Sequence, residues 1–358
     1  MSKLTSKLLS LLLILMLVAS LAACGSPASQ NPTEQQSTET QGSEGAGAEN
    51  AAVTVTDQAG REVVIEGPVE RIVSGYYISS SACIALGLGD KLAGIEAKAD
   101  SRPIYAMAAP RLLELPNVGT AKEFNMEGCI ALEPDLVILP KRLKDSADTM
   151  TELGIPVILV SPESHQELVD MIDLIGQAAG VEEEVAKLIS YYNVELAAVA
   201  ELTKDISEKP SVYMAGNSAY LSTAPKDMYQ ASLIAAAGGI NAAEAMGGDN
   251  WTDVSYEQII AMNPEIIVIP AEAGYSKEDV LGDAQLAQIT AIKEGWVYQM
   301  PKGFEAWDSP VPSCTLGIRW LLNALHEDLY PLAELQADAA AFYKEFYGVD
   351  IDTSLIGK

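Results

Sequence analysis

The chain has 358 residues, of which 49% are hydrophobic, and a formal net charge of −28 from 22 basic and 50 acidic residues. This length allows two domains of ordinary size, and the apolar content is enough to give each a core, which excludes a largely disordered chain. Nucleic acid is excluded as a partner, because the sequence contains no basic stripe that could neutralise phosphates.

The beginning of the chain has the features of a secretory signal. Lys3 and Lys7 precede an almost uninterrupted apolar run over Leu8–Val18, and small residues follow before Cys24. The run is too short to span a bilayer comfortably. We therefore predict a signal peptide over residues 1–23 and an extracytoplasmic location.

The residues around Cys24 predict an anchor. Leu21–Cys24, L-A-A-C, resembles the lipobox of bacterial lipoproteins, which implies that Cys24 carries a lipid and holds the protein at the cell membrane. The alternative is an ordinary signal peptide followed by a chance cysteine.

Residues 24–52 are rich in Ser, Gln, Thr, Glu and Gly and contain no aromatic residue, so we predict a flexible tether there.

The other cysteines, Cys83, Cys129 and Cys314, are isolated from one another, and each lies in an apolar stretch. An odd number without C-x-x-C spacing argues against a disulfide framework and against a zinc site. We predict three buried free thiols.

Alternating strand and helix patterns over residues 53–162 predict an N-terminal α/β lobe. A strand pair with its turn at Asp57–Gly60 comes first. Short aliphatic runs then alternate with helical segments, which is typical of a parallel sheet covered on both faces. Beyond the strand pair, we predict strands over residues 71–75, 92–95 and 157–160, and helices over residues 79–86 and 146–153.

Residues 163–208 form a helical segment between the lobes. Helical spacing of apolar residues predicts one helix over residues 164–179 and a second over residues 181–203. The second helix would be about 35 Å long, enough to reach from one lobe to another.

The alternation of strand and helix patterns resumes over residues 209–358 and predicts a C-terminal α/β lobe. The predicted strands are at 212–215 and 296–300, and the predicted helices are at 228–237, 278–291 and 312–326.

One stretch occurs twice. E-G-C-I-A-L-E-P-D-L-V-I-L-P over residues 127–140 returns as E-Q-I-I-A-M-N-P-E-I-I-V-I-P over residues 257–270, with five of the fourteen positions identical. Each copy predicts a short helix that ends before Pro134 or Pro264, followed by an aliphatic strand. The repeat indicates two lobes of related construction, each with a glutamate at the start of its helix.

Seven short motifs share their order with a known family. They are D-x-x-G-R-x-V at 57–63, P-x-x-R-I-V at 68–73, A-L-G-L-G-D-K-L-A-G at 85–94, A-L-E-P-D-L-V-I at 131–138, L-G-I-P-V at 153–157, A-G-G at 237–239 and W-T-D-V-S-Y-E-Q-I at 251–259. In this order the chain resembles the substrate-binding proteins of ABC importers for iron-siderophore, haem and cobalamin. The resemblance covers nearly all of the chain after the tether.

The resemblance implies a fold and a set of partners. The fold is α/β, with two Rossmann-like lobes that contain parallel sheets and are joined by a single long interlobe helix, as in class III periplasmic binding proteins. Glu127 and Glu257 match the family glutamates that dock on the membrane permease, one from each lobe. The alternative for both is a structural role, through the helix dipole and through a capping box of Ser255 with Gln258.

The resemblance also implies a ligand between the lobes. Loops at the carboxyl ends of strands usually supply the contacts in such a cleft. On that basis the candidates are Tyr76, Tyr77, Arg102, Tyr105, Tyr220, Trp251, Trp307 and Asp308. Trp251 matches a family position that often stacks on substrate, and Tyr220 lies near another. For each aromatic residue, packing within its own lobe is the alternative.

The sequence leaves the ligand open between a ferric siderophore, haem and a corrinoid. Ala121 replaces the first-lobe counterpart of Trp251, which argues against a corrinoid held between two tryptophans. Haem would need an axial Tyr or His, and Tyr76, Tyr77 or Tyr220 would serve, whereas the two histidines, His165 and His326, read as helix-end residues.

An enzyme is the main alternative from another class. The chain has no G-x-S-x-G, H-E-x-x-H, P-loop or dinucleotide-binding motif, so we expect no catalytic activity, no cofactor and no resident metal. A carboxylate-based enzyme and a surface receptor or sensor not coupled to import stay open as alternatives. We expect a monomer whose partners are an ABC permease dimer with its ATPase and a small-molecule ligand.

Overall fold

Two four-stranded parallel sheets, one before and one after a pair of long helices, form the framework of the protein. The structure, a computed structural model, describes residues 52–248 and 250–358. The predicted signal peptide, the predicted lipidation site Cys24 and all but the last residue of the predicted tether lie outside the described residues.

The first lobe begins with a hairpin and continues as an α/β unit. Its strands are β1 (Val53–Thr56), β2 (Glu62–Ile65), β3 (Ile72–Ser74), β4 (Leu92–Gly94), β5 (Leu136–Pro140) and β6 (Val157–Val160), and its helices are α1 (Tyr77–Ala85), α2 (Pro103–Ala108), α3 (Met126–Ile130) and α4 (Lys144–Glu152). Strands β1 and β2 pair antiparallel, and the other four form a parallel sheet in the order β4-β3-β5-β6.

The hairpin explains the D-x-x-G-R motif. The Asp57 carboxylate accepts hydrogen bonds from the backbone N–H groups of Ala59, Arg61 and Leu159 and from the Arg61 guanidinium. Arg61 also donates to the backbone carbonyl of Val157 in β6. Gly60 takes a positive φ of 78° in the turn, a region that glycine enters without strain. The motif thus fastens the hairpin to the edge of the first sheet.

Two helices lie between the two sheets in the chain: α5 (His165–Ala179), which packs on the first lobe, and α6 (Glu182–Thr203), which connects the lobes. Helix α6 is 22 residues long and packs against α5 on one side and against helices of the second lobe on the other. The Tyr192 hydroxyl, buried on α6, donates a 2.7 Å hydrogen bond to the carbonyl of Pro312 in the second lobe. The predicted single interlobe helix is confirmed.

The second lobe repeats the first sheet. Its strands are β7 (Ser211–Met214), β8 (Ser222–Thr223), β9 (Ile240–Asn241), β10 (Thr252–Asp253), β11 (Ile266–Ile269) and β12 (Val297–Gln299), and its helices are α7 (Tyr229–Ala236), α8 (Tyr256–Met262), α9 (Lys277–Leu281), α10 (Thr290–Glu294), α11 (Cys314–Leu325) and α12 (Leu332–Tyr347). The parallel sheet has the order β12-β11-β7-β9.

The two sheets share one topology. When the four strands of each sheet are counted in chain order, the first lies between the second and the third, and the fourth lies beyond the third. The third strands, β5 and β11, are buried at every position, since helices and loops cover both faces of the sheet. The predicted α/β fold with two related lobes is confirmed.

Two predictions for the second lobe were wrong. The helix predicted over residues 278–291 is two short helices, because α9 ends at Leu281 and an irregular segment separates it from α10. The predicted C-terminal helix is α11, but α12, with 16 residues, is longer and was not predicted. Its buried residues Leu335, Ala339, Phe342 and Phe346 have helical spacing that would have revealed it.

Candidate functional site

The repeated helices place Glu127 and Glu257 at equivalent positions. Each glutamate is the second residue of its helix, α3 or α8, and each is exposed. Asn125 caps α3 and Ser255 caps α8, and both side chains accept a hydrogen bond from the backbone N–H three residues later. The two glutamates therefore project from the first turns of two helices that begin in the same way.

The units also end alike. Glu133 and Asn263, the residues before Pro134 and Pro264, have positive φ values of 48° and 43°. Asn263 ends α8 directly, whereas Glu133 lies three residues after the last residue of α3, and in each unit the proline leads into the buried strand. The capping box of Ser255 with Gln258 is present, and the backbone N–H of Glu257, with the Ser255 hydroxyl, lowers the pKa of Glu257. Capping and an exposed negative charge thus coexist in α8.

Two contacts join the lobes across the cleft between them. Arg102, from the first lobe, donates from Nη1 to Oε1 of Glu272 in the second lobe over 2.7 Å. The Tyr77 hydroxyl, at the start of α1, donates to Oγ of Ser309 over 3.1 Å. Tyr77 and Arg102 were predicted cleft residues, and Glu272 and Ser309 face them from loops after β11 and β12. The loops after β11 and β12 thus bring polar groups to the same edge of the second sheet.

Arg102 is held by its own lobe as well. Its guanidinium carbon lies 3.8 Å from the centre of the Tyr77 ring, and its Nε lies 3.7 Å from Oε1 of Glu96. Glu96 is buried and accepts hydrogen bonds from the hydroxyls of Ser80 and Tyr105 at 2.6 and 2.8 Å. Burial raises the pKa of Glu96, although these two hydrogen bonds and the charge of Arg102 oppose the change.

Tyr105 has no exposed surface, because its hydroxyl points at Glu96 inside the first lobe. The structure therefore places this predicted ligand contact behind Arg102, where it supports Glu96 and is not on the cleft surface.

Two adjoining cavities occupy the cleft. One, of about 580 Å³, is lined from both lobes, and its charged lining residues are Lys98, Arg102, Glu272 and Lys302. The other, of about 180 Å³, lies in the first lobe, and its charged and aromatic lining residues are Tyr76, Tyr77, Glu96, Lys98, Arg102 and Arg142. Lys98 and Arg102 line both cavities. Basic residues thus outnumber acidic ones around the cleft of a strongly acidic protein.

Trp307 lies in the core. It has no exposed surface, its ring stacks on Phe304, and its indole N–H donates a 2.9 Å hydrogen bond to the Tyr343 hydroxyl. Gly317 of α11 allows the close approach, since a Cβ there would lie 2.0 Å from the carbonyl oxygen of Trp307. The predicted ligand contact is thus sealed from the cleft by the packing of α11 and α12 around it.

Asp308, the next residue, is 1% exposed, and neither carboxylate oxygen has a hydrogen-bond partner. Burial, together with the negative charge of Glu272, raises the pKa of Asp308 to about 7. It lies at the lobe junction, beside Ser309, and is not on the open cavity surface.

Tyr220 and Trp251 lie elsewhere on the second lobe. The Tyr220 hydroxyl donates to Asp283 over 2.8 Å, and its ring meets the edge of the Tyr275 ring. Trp251 is half-buried against the core. Neither lines either cleft cavity. The predicted set therefore divides into Tyr76, Tyr77 and Arg102, which the structure brings together, and the remaining five, which it does not bring to these cavities.

Sequence reasoning missed Glu272, Lys98 and Lys302. Glu272 could have been predicted, because it comes three residues after the end of β11. Loops at the carboxyl ends of strands usually supply the contacts in a cleft, and Arg102 was selected on the same basis. Nothing in the local sequence indicates that it pairs with a residue 170 positions earlier.

The cysteines and histidines take structural positions. Cys83, Cys129 and Cys314 are buried free thiols, as predicted. His165 is the first residue of α5 and His326 follows the end of α11, which confirms both as helix-end residues. Burial lowers the pKa of His165 to about 4.

Residues 52–248 and 250–358 contain no group of three or more His, Cys, Asp and Glu side chains placed to hold a metal ion. They also contain no helix with the length and hydropathy needed to cross a bilayer.

Comparison with known proteins identifies the family. Residues 72–303 match the family model described as periplasmic binding protein. An uncharacterised ABC transporter substrate-binding lipoprotein of Bacillus subtilis (strain 168) is 27% identical over 318 residues, which are 87% of this chain and 94% of the relative. The molybdate-binding protein MolA of Haemophilus influenzae is 24% identical over 319 residues, which are 82% of this chain and 90% of the relative.

Solved structures agree in fold. A periplasmic solute-binding protein of Veillonella parvula superimposes with a TM-score of 0.75 at 26% identity, covering 85% of this chain and 95% of that protein. The relatives are solute-binding proteins of transporters. Because the family model covers more than half of the chain, including both sheets and the helices between them, the chain belongs to the periplasmic binding protein family.

Proposed function

We propose that the protein is a lipid-anchored extracytoplasmic carrier that captures an anionic metal complex between its lobes and delivers it to an ABC permease. The observation that carries the delivery step is the equivalent placement of Glu127 and Glu257. Two exposed carboxylates on matching helices suit a partner built from two equivalent subunits, since each lobe then meets one subunit in the same way.

The charge of the cleft supports an anionic cargo. Lys98, Arg102, Arg142 and Lys302 line the two cavities, whereas Glu96 and Glu272 are the acidic lining residues and both lie close to Arg102. Such a lining attracts negative charge locally, although the whole chain is acidic. A ferric siderophore with acidic groups or haem with its propionates fits this lining better than a corrinoid does. The molybdate bound by the Haemophilus relative is also an oxyanion.

The aromatic residues suit the body of such a complex. Tyr76 and Tyr77 meet edge to face, with ring centres 5.3 Å apart, and both line the smaller cavity. Their rings offer apolar contact and their hydroxyls offer polar ends, as a metal chelate requires.

Reversing both docking charges tests delivery. Glu127→Arg combined with Glu257→Arg should abolish permease binding and uptake, because both carboxylates on which the proposed docking depends are replaced by the opposite charge. Ligand affinity should not change, since both residues lie outside the two cleft cavities. Uptake by cells and pull-down of the permease measure the first effect, and calorimetry measures the second.

A matched control uses two other exposed glutamates, Glu152 at the end of α4 and Glu294 at the end of α10, one in each lobe. Changing both to Arg alters the net charge equally and should leave uptake normal. Normal uptake by the docking variant would contradict the assignment.

The lipid anchor depends on Cys24. Cys24→Ala should move the protein from the membrane fraction to the soluble extracytoplasmic fraction, because the thiol that carries the lipid is gone. Fractionation followed by immunoblotting measures the change. Continued membrane association of the variant would contradict lipidation at Cys24.

A further inference from the structure

The first lobe orients the Arg102 guanidinium but does not use all of its hydrogen-bonding groups. Tyr77 covers one face of the guanidinium plane, and Glu96 lies 3.7 Å from Nε. At that distance the pair attracts electrostatically, but Nε is buried without a hydrogen-bond partner. The side chain is 17% exposed, and it lines both cleft cavities. Arg102 is thus fixed in orientation and only partly satisfied.

The group that meets Arg102 from the cavity is a carboxylate of the other lobe. Oε1 of Glu272 accepts one hydrogen bond from Nη1 at 2.7 Å. Glu272 itself is 41% exposed and stands in the loop after β11, on the wall of the larger cavity. An ion pair this exposed on one side contributes little to stability, so a competitor displaces it at small cost.

We propose that Arg102 is the subsite for a carboxylate of the ligand, and that Glu272 is an internal carboxylate that fills this subsite until the ligand replaces it. This inference rests on the proposed carrier function and names the chemistry of its cargo. The chemistry of the subsite follows from the group that now fills it, because the protein places its own carboxylate, that of Glu272, against Arg102. An incoming carboxylate is free to approach the guanidinium with both oxygens, whereas Glu272 makes a single hydrogen bond to it.

Displacement of Glu272 also changes the contact between the lobes. The Arg102–Glu272 pair and the Tyr77–Ser309 hydrogen bond both cross the cleft. A ligand that takes over Arg102 removes the first of these contacts and leaves the second. Departure of the Glu272 carboxylate also removes a negative charge from the vicinity of Asp308, whose pKa it helps to raise.

Removing the Glu272 carboxylate should strengthen the binding of a carboxylate ligand. If the internal pair is formed in about nine-tenths of the molecules, apparent affinity for a carboxylate ligand is reduced about ten-fold, because only the remaining fraction is ready to bind. Glu272→Gln keeps the size of the side chain and removes its charge. We expect this variant to bind citrate and ferric citrate about ten-fold more tightly than the unchanged protein does.

Calorimetry with the mature chain, using citrate, ferric citrate and molybdate as separate probes, tests the subsite. Glu278→Gln serves as the control, because Glu278 is an exposed glutamate of the same lobe and its change alters the net charge equally. This control should leave every affinity unchanged. Arg102→Lys keeps the positive charge but loses the planar fork, and it should weaken both citrate probes in the presence or absence of Glu272→Gln.

Three outcomes would overturn the proposal. They are equal citrate affinity in Glu272→Gln and the unchanged protein, preference for molybdate over both citrate probes, and no binding of any carboxylate probe to any variant. The carrier function is judged separately, by the docking-charge reversal and by ligand recovered from the host with the purified protein. A recovered ligand that binds equally well to Arg102→Lys would leave the carrier function intact and the subsite refuted.

Discussion

The two lobes resemble each other on helices α3 and α8 and differ where they face the cleft. Each of these helices begins with a side-chain cap and carries an exposed glutamate at its second position, and the residue before the following proline is left-handed in both lobes. At the cleft, the first lobe contributes Tyr77 and Arg102, and the second contributes Glu272 and Ser309. A duplicated scaffold thus presents like surfaces on α3 and α8 and complementary groups at the cleft.

The buried acids sharpen this difference. Glu96 of the first lobe receives two hydrogen bonds and has Arg102 beside it. Asp308 of the second lobe is equally buried, but no side chain donates a hydrogen bond to its carboxylate. Burial raises the pKa of both acids, and side-chain hydrogen bonds and Arg102 oppose this change for Glu96 but not for Asp308. Replacing Asp308 should therefore change stability most at a pH at which its carboxylate would be ionised.

The largest effect on stability should come from Asp308→Asn at high pH. The pKa of Asp308 is raised to about 7 in the folded protein, above its usual value of 3.8, so the folded state binds the proton more tightly than the unfolded state does. Stability from this residue is present below pH 3.8 and is lost as the pH rises to about 7. Three pKa units correspond to about 4 kcal/mol, so Asp308→Asn should be more stable by up to that amount at pH 8 and little changed at pH 4.

Urea unfolding at several pH values measures this change. Asp205→Asn, at an exposed position after α6, removes an equal charge and should give a difference from the unchanged protein that does not vary with pH. A pH-independent difference for Asp308→Asn would show that its carboxylate is ionised at no extra cost, and the contrast between the two buried acids would fail.

A smaller effect on stability should distinguish α3 from α8. Asn125→Ala and Ser255→Ala each remove a cap, which costs about 1 kcal/mol in other helices. The loss should be smaller for Ser255→Ala, because Gln258 still accepts a hydrogen bond from the backbone N–H of residue 255. In α3 the corresponding position is Gly128, which has no side chain to do so. Chemical unfolding at neutral pH compares the variants, and a greater loss for Ser255→Ala would contradict this order.

The regular elements were largely predictable, because each depends on neighbours in the sequence. The strand Val157–Val160 and the two interlobe helices match their predictions to within one residue. The helix predicted over residues 278–291 failed because apolar residues on either side of an irregular segment mimicked one continuous helical face. Helix α12 was missed although its buried residues have clear helical spacing.

The candidate site was predictable only in part. Tyr76, Tyr77 and Arg102 line the cleft cavities as strand-end loops suggested. Trp307 and Tyr105 come from loops or short helices of the same kind but are buried. The difference arises from helices distant in sequence, such as α12, whose Tyr343 receives the hydrogen bond of Trp307. A loop position alone does not tell whether another helix covers it.

The sequence by itself determined the family, through seven motifs in a familiar order. It also determined the duplicated α/β plan and the paired glutamates, because hydrophobic periodicity, proline positions and a repeated stretch are local patterns. Only the tertiary structure decided which polar groups meet. Arg102 and Glu272 are 170 residues apart and belong to different lobes. Their pairing depends on how the two sheets are set against each other by α6, and the charge that each presents to a ligand follows from that arrangement.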